Sequence, residues 1–178
     1  GIHNVKGDMV EDVHVQITGP DPLKIMTDDK GEFMFPDLSF GNDYTVVPYK
    51  DDDPLNGIST LDLVLISKHI LGLQKLDSPY KIIAADVDRS GHVSTFDLIR
   101  MRRLILHVDD AMPDQNGSWR FVDASFLFPV PENPFATYFP EVYNINDFAD
   151  EEMYADFIAI KVGDVNSSAK ANSKAALE

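Results

Sequence analysis

Two stretches of this chain repeat each other. GISTLDLVLISKHIL (57–71) and HVSTFDLIRMRRLIL (92–106) align without a gap at an offset of 35 residues. Ser59/Ser94, Thr60/Thr95, Asp62/Asp97, Leu63/Leu98, Ile70/Ile105 and Leu71/Leu106 are identical, and Lys68 matches Arg103. An internal repeat restricts the fold to one that holds two copies of the same unit. Each copy reads as a loop followed by a helix. Ser59 and Ser94 are suited to cap a helix N-terminus, and Asp62 and Asp97 stand three residues later, where the helix dipole favours an acid. Leu63, Ile66 and Ile70 fall on one helical face, as do Leu98, Met101 and Ile105, so the two apolar faces are expected to pack together.

The loops ahead of these helices carry oxygen-bearing side chains at a telling spacing. Calcium takes six to eight oxygens, and a twelve-residue loop supplies them from positions 1, 3, 5, 7 and 12, with 9 often acting through water. In DVDRSGHVSTFD (86–97), Asp86, Asp88 and Ser90 stand at 1, 3 and 5, and Gly91 stands at the sharp turn at 6. His92 offers its carbonyl at 7, Ser94 stands at 9 and Asp97 at 12. An acidic turn before a capped helix is the plainer alternative, but it does not require all of these positions at once. Counting back from Asp62 gives a less regular first loop, with Asp51 at 1, Asp53 at 3, Leu55 at 5, Gly57 at 7 and Ser59 at 9. Asn56 can take a left-handed backbone in place of glycine, and its amide oxygen, or a carbonyl of the Pro54-Leu55 segment, can stand in for the missing ligand. A third fragment, Gly163-Asp164-Val165-Asn166-Ser167-Ser168, begins like a calcium loop and stops. Asp164 and Asn166 either lend ligands to a neighbouring site or form an ordinary turn closing a strand.

The flanking sequence reads as β structure. Val13, Val15 and Ile17 alternate with polar residues, Phe33 and Phe35 alternate with Glu32 and Met34, and Tyr44-Thr45-Val46-Val47 follows a Gly-Asn-Asp turn. Short, evenly spaced strands predict an antiparallel sandwich over 1–50. The loop–helix repeats occupy 51–107, with Ser78-Pro79-Tyr80 in the spacer between them. Residues 108–166 are loop-rich, with strands expected at 118–122 and 156–162 that either extend the first sheet or cover the helices. The small, polar tail 167–178 is expected to be disordered, and Leu177-Glu178 resembles a vector remnant. The fold class expected is therefore α+β.

Thirty acidic and fifteen basic residues give a net charge of −15, which disfavours nucleic acid or an anionic membrane as partner. The absence of cysteine excludes disulfides, thiolate zinc sites and cysteine nucleophiles. No apolar run is long enough to span a bilayer. The five histidines, His3, His14, His69, His92 and His107, show no metal-ligand spacing, and no phosphate loop or nucleophile elbow is present. Acid pairs such as Asp109-Asp110 or Glu151-Glu152 more often form solvated patches than a glycosidase centre. An enzyme is not expected.

The duplicated unit resembles the dockerin family, whose calcium loops follow D-x-[DN]-x-[DNS]-G-x-[VI]-[STN]-x-x-D; 86–97 matches throughout and 51–62 imperfectly. Residues 1–50 resemble a carboxypeptidase-regulatory or prealbumin-like sandwich through Thr27-Asp28-Asp29, Gly31, Phe33, Phe35, Leu38, Gly41, Tyr44, Val46 and Pro48. The whole chain is similar to non-catalytic modules of large secreted or surface proteins of Bacteroidetes-type bacteria. The resemblance implies two calcium ions, an extracellular location and a cohesin-like partner. That partner would meet Thr60 and Leu61, Thr95 and Phe96, and the basic residues Lys68, Arg102 and Arg103. Phe96 is also an apolar residue suited to the core. Two functions follow as expectations. One is a calcium-ordered structural or adhesive module. The other is a dockerin that assembles a complex, one that degrades polysaccharide among the options.

Overall fold

The computed structural model describes residues 1–113, 116–149 and 154–172. The first fifty residues supply four strands: β1 (Ile2–Asn4), β2 (His14–Thr18), β3 (Leu23–Met26) and β4 (Tyr44–Tyr49). The expected alternation is realised in β2, where Val15 and Ile17 are fully buried between outward-facing polar neighbours. Two helices with a third between them follow: α1 (Thr60–Ile70), α2 (Pro79–Ala85) and α3 (Thr95–Ile105). The chain then returns to strands β5 (Trp119–Asp123), β6 (Tyr143–Ile145) and β7 (Phe157–Lys161), with a short 3-10 turn at Pro134–Ala136.

Two sheets result. One has the order β3-β2-β4-β6 and is antiparallel throughout; the other has the order β1-β7-β5, with β1 parallel to β7 and β5 antiparallel to it. The sandwich is therefore not complete within 1–50. Its outer sheet takes β6 and its inner sheet takes β5 and β7 from the C-terminal third. Pro48 is accommodated in β4 because β6 pairs only with Tyr44–Val46, so one side of the strand is unpaired at the proline. Phe33 and Phe35 do not form a strand. Both edges of β2 are occupied, by β3 and β4, and 28–32 is folded into a turn in which Asp28 accepts from Lys30 and Glu32. The two rings instead pack from a loop onto the first core.

The middle sheet serves two cores. Trp119, Phe121, Phe157 and Ala159 face the outer sheet and pack with Val15, Ile17, Tyr44 and Val46. Val122, Ile160 and Val162 point the other way and pack with Ile66, Ile83, Leu98, Met101 and Leu104 of the helices. The C-terminal strands thus both extend the sandwich and cover the helix pair. This period-2 division puts the helices against a rigid platform. The N-caps expected at Ser59 and Ser94 are present, each completed as a capping box by Asp62 or Asp97, and α1 packs on α3. Helix α2 has proline at its first position and a Ser78 cap, and it buries Ile82, Ile83, Ala84 and Ala85 before ending at Asp86. Its apolar face is continuous rather than striped, which is why the spacer gave no helical signal.

The tail is packed as far as it is described. Ala171 is buried in the first core and Asn172 donates to the Met9 carbonyl, contrary to the expectation of disorder from 167. Residues 173–178 lie outside the described residues. No helix is long and apolar enough to cross a membrane among the described residues.

Candidate metal centres

Helix α2 delivers Asp86 and helix α3 delivers Asp97 to the same point, and the loop between them folds around these two carboxylates. Asp86, at 1% exposure, accepts from Ser90 N–H through Oδ1 (2.9 Å) and from Gly91 N–H through Oδ2 (3.0 Å). Asp97, with no exposure, accepts from Val87 N–H (2.8 Å) and Ser94 N–H (2.8 Å). Ser90 Oγ reaches the His92 carbonyl at 3.2 Å. One carboxylate oxygen from each of Asp86, Asp88 and Asp97 lies within 4.8 Å of the other two. Burial pushes the carboxyls of Asp86 and Asp97 above the usual carboxylate range, against the pull of their backbone donors. Three acids drawn together this closely repel one another, and a divalent cation relieves that repulsion. Gly91 takes φ 81° at the sharp turn, as its position requires, and Arg89 takes φ 56°.

The partner of the first repeat is not the segment that precedes it. Asp62, fully buried, accepts from Ser59 N–H (2.9 Å) and from Val165 N–H (3.0 Å), 103 residues away. Asp164, 6% exposed, accepts from Ser168 N–H (3.1 Å) and Ala169 N–H (2.7 Å), and Ser168 Oγ reaches the Gly57 carbonyl at 3.0 Å. These five bonds repeat the five described for 86–97 and make a second such scaffold. Its first half is supplied by Asp164–Ala169 and its second half by Gly57–Asp62. Ser167 sits at φ 59°, as Arg89 does at the same place in the other loop. Burial, with the neighbouring Asp62 charge as a lesser cause, pushes the Asp164 carboxyl up. Gly57 permits the join: a Cβ there would stand 2.6 Å from the Ala169 nitrogen. Asn56 seals it from the other side, its amide donating to the Lys170 carbonyl and accepting from Lys170 N–H, both at 2.9 Å.

Asp51 and Asp53, read from the sequence as positions 1 and 3 of the first loop, are placed elsewhere. Asp51 accepts from Ser118 N–H (3.0 Å), its neighbour Asp52 accepts from Trp119 Nε1 (3.0 Å) and pairs with Lys50 (2.9 Å), and Asp53 is exposed. The physical reason is the start of β5, whose Ser118 N–H and Trp119 Nε1 claim Asp51 and Asp52 beside Lys161. The buried Lys161 ammonium donates to the Pro54 carbonyl at 2.9 Å, and burial lowers its pKa to about 8 despite the acids 51–53 and Asp164 around it. These aspartates compensate a buried lysine and cap β5. Asn56 is likewise a hydrogen-bonding clasp on Lys170. The fragment 163–168, open in the sequence between ligand donor and turn, stands opposite Asp62. The signal that would have found it is direct: Asp164-Val165-Asn166-Ser167-Ser168 parallels Asp86-Val87-Asp88-Arg89-Ser90.

The residues expected to meet a partner sit on the outer faces of the repeated helices. Leu61 is 53% exposed and Phe96 66%, and Val64, Leu71, Ile99 and Leu106 are exposed beside them. Phe96 is therefore a surface residue and not part of the core. Arg103 is held by Asp109 at 2.6 Å, which gives that acid a structural partner; Glu151-Glu152 lies outside the described residues.

No family model, curated protein or solved structure matches this chain.

Proposed function

We propose that this protein is a non-catalytic calcium-binding module of a larger secreted or cell-surface protein, holding two Ca2+ ions that fasten its helix pair to its β layers. The observation that carries this reading is the common scaffold around two pairs of buried aspartates, Asp86 with Asp97 and Asp164 with Asp62. In the first centre Asp86, Asp88, Ser90, the His92 carbonyl, Ser94 and Asp97 offer the ligands. In the second, Asp164, Asn166, Ser168, the Gly57 carbonyl, Ser59 and Asp62 offer them. All are oxygens, the donor set that suits a hard cation, and their number suits calcium better than the strict octahedron of magnesium. The second centre ties the start of α1 to the segment that follows β7, which is what a structural or adhesive role needs. Binding to the folded state alone stabilises it by about 2.7 kcal/mol at a hundredfold excess of ion over Kd. Calorimetric titration tests the reading. Two calcium ions bound by the parent chain, with one lost in Asp86→Ala and the other in Asp164→Ala, is the expected result; no calcium uptake would overturn it.

A second use, docking to a cohesin-like partner as the dockerin resemblance implies, is favoured by one further observation. The exposed apolar residues recur at the repeat offset: Leu61 with Phe96, Val64 with Ile99, and Leu71 with Leu106, with Lys68 and Arg103 between them. Single exposed hydrophobics are ordinary, whereas a contiguous stripe of them with aromatic and basic members is the composition of an interface centre. Retention of a surface-fraction protein by the immobilised chain in calcium and its release by chelator would support docking; equal recovery in both would count against it.

A further inference from the structure

Between β4 and β5 lies an open cleft of about 280 Å³ lined by Tyr49, Arg89, Trp119, Arg120, Phe121 and Glu141 among others. It is set apart by its charge. The chain carries twice as many acids as bases, yet two arginines and a single carboxylate line this cleft. Arg120 is 7% exposed and makes a two-bond pair with Glu141, at 2.8 and 3.0 Å. Its remaining Nη1 has no hydrogen-bond partner among the described residues, nor does Arg89 Nε, although both atoms are buried. Each guanidinium thus keeps a nitrogen that the chain leaves without a hydrogen-bond acceptor, so neither guanidinium is fully satisfied within the protein. Glu141 compensates one of the two cations, so the lining is left with one positive charge, which suits a single carboxylate better than a phosphate dianion. The Tyr49, Trp119 and Phe121 rings in the lining suit a planar or ring-bearing body attached to it.

The cleft is also wired to the first metal centre. Arg89 is the fourth residue of the loop 86–97, and its Nη2 reaches across to the carbonyls of Gly117 (3.2 Å) and Trp119 (3.5 Å). Arg120 Nη1 stands 4.0 Å from Asp86 Oδ2. An ion held by Asp86 therefore withdraws a competing anion from Arg120 and fixes the backbone that carries Arg89.

We infer that this cleft binds a small monocarboxylate bearing a ring, through Arg89 and Arg120, and that calcium at 86–97 strengthens the binding. The coupling rests on the calcium reading above; the cleft itself does not.

Calorimetric titration of the full chain with glucuronate and with benzoate tests this, with glucose as the uncharged control, each in calcium and in chelator. The two carboxylates distinguish a sugar acid from an aromatic acid. Binding of at least one of them in calcium, none of glucose, and a Kd at least tenfold weaker in chelator is the expected result. Arg89→Gln should weaken binding tenfold or more. Glu141→Gln, which frees Arg120 and removes the competing carboxylate, should tighten it, a change that loss of a merely structural contact would not produce. The inference is overturned if neither carboxylate binds in calcium, or if Arg89→Gln leaves Kd unchanged. A calcium isotherm on the same samples separates the two readings. Calcium uptake without carboxylate binding sinks the cleft alone, and carboxylate binding without calcium uptake sinks the metal reading and the coupling.

Discussion

Val165 donates its amide to Asp62 across 103 residues of chain, and Val87 donates its amide to Asp97 across ten. The two bonds occupy the same place in the same scaffold, so a loop that is continuous in one repeat is assembled from distant segments in the other. Continuity of the chain is not what the scaffold requires. It requires two carboxylates, one ahead of a sharp turn and one in the first turn of a helix, each saturated by backbone donors.

This assembly makes a sharp distinction among the aspartates. Asp164→Asn and Asp62→Asn should each remove one of two calcium-binding events in a calorimetric titration. Asp51→Asn and Asp53→Asn should leave both, because Asp51 is engaged with Ser118 and Asp53 is exposed. Loss of a site should also reduce the calcium-dependent stabilisation by about 2–3 kcal/mol at saturating ion. Loss of an ion in Asp51→Asn, with Asp164→Asn unaffected, would restore the contiguous loop.

The composite centre should also respond to chelation at a distance in sequence. The amides of Ser168 and Ala169 donate to Asp164, and those of Ser90 and Gly91 donate to Asp86. With the ion removed, like-charged buried carboxylates repel and local opening becomes easier. Hydrogen exchange should therefore quicken in chelator at both sets of amides, and Asp164→Asn should remove the calcium effect at 168–169 while preserving it at 90–91. A calcium effect confined to 86–97 in the parent chain would show that the second scaffold holds no ion.

What was legible in the sequence was whatever is local. The two helices of the repeat, both Ser-x-x-Asp caps, the convergence of Asp86, Asp88 and Asp97 and the strands around Val15, Val46, Phe121 and Ile160 are all set by neighbours a few residues apart, and each is found where the pattern places it. The first loop failed for the opposite reason. Three consecutive acids stand at the right distance before Asp62, but the groups that engage Asp51 and Asp52, at Ser118 and Trp119, lie 67 residues away, and the segment that folds against Asp62 lies over a hundred residues away at Asp164 and Val165. Phe33 and Phe35 failed because alternation reports which side chains are buried, not whether a neighbouring strand edge is free. Helix α2 carried no stripe to read because it is buried along its apolar length.

Exposure of Phe96 separates its effect on folding from its effect on binding. At 66% exposure its truncation removes little buried surface, so Phe96→Ala should change stability by no more than about 0.5 kcal/mol. Ile66→Ala, by contrast, opens a cavity where no side-chain surface is exposed and should cost about 2–5 kcal/mol. Thermal melts of the two variants in the same calcium concentration check this. If the helical stripe is a docking face, Phe96→Ala should weaken partner retention tenfold or more with its melting temperature preserved. A large fall in melting temperature would return Phe96 to a structural role.

His69 gives the α1–α2 connection a pH dependence whose sign follows from one hydrogen bond. Its Nδ1 accepts from Leu76 N–H at 3.0 Å, which requires a lone pair on that nitrogen and so excludes the imidazolium. Burial lowers the His69 pKa below its ordinary value, and Lys75 nearby adds to the effect. A base with a depressed folded-state pKa binds protons more weakly when folded. Its contribution to stability is therefore fully present above the unfolded-state pKa of about 6.5 and is lost as pH falls from there toward the folded-state value. Melting temperature should fall over that interval in the parent chain, and the fall should be shallower in His69→Gln, whose amide oxygen can accept the same bond at any pH. An NMR titration checks the premise directly: the His69 ring should titrate below the ordinary histidine value of about 6.5, and a midpoint at or above that value would remove the physical basis for the slope.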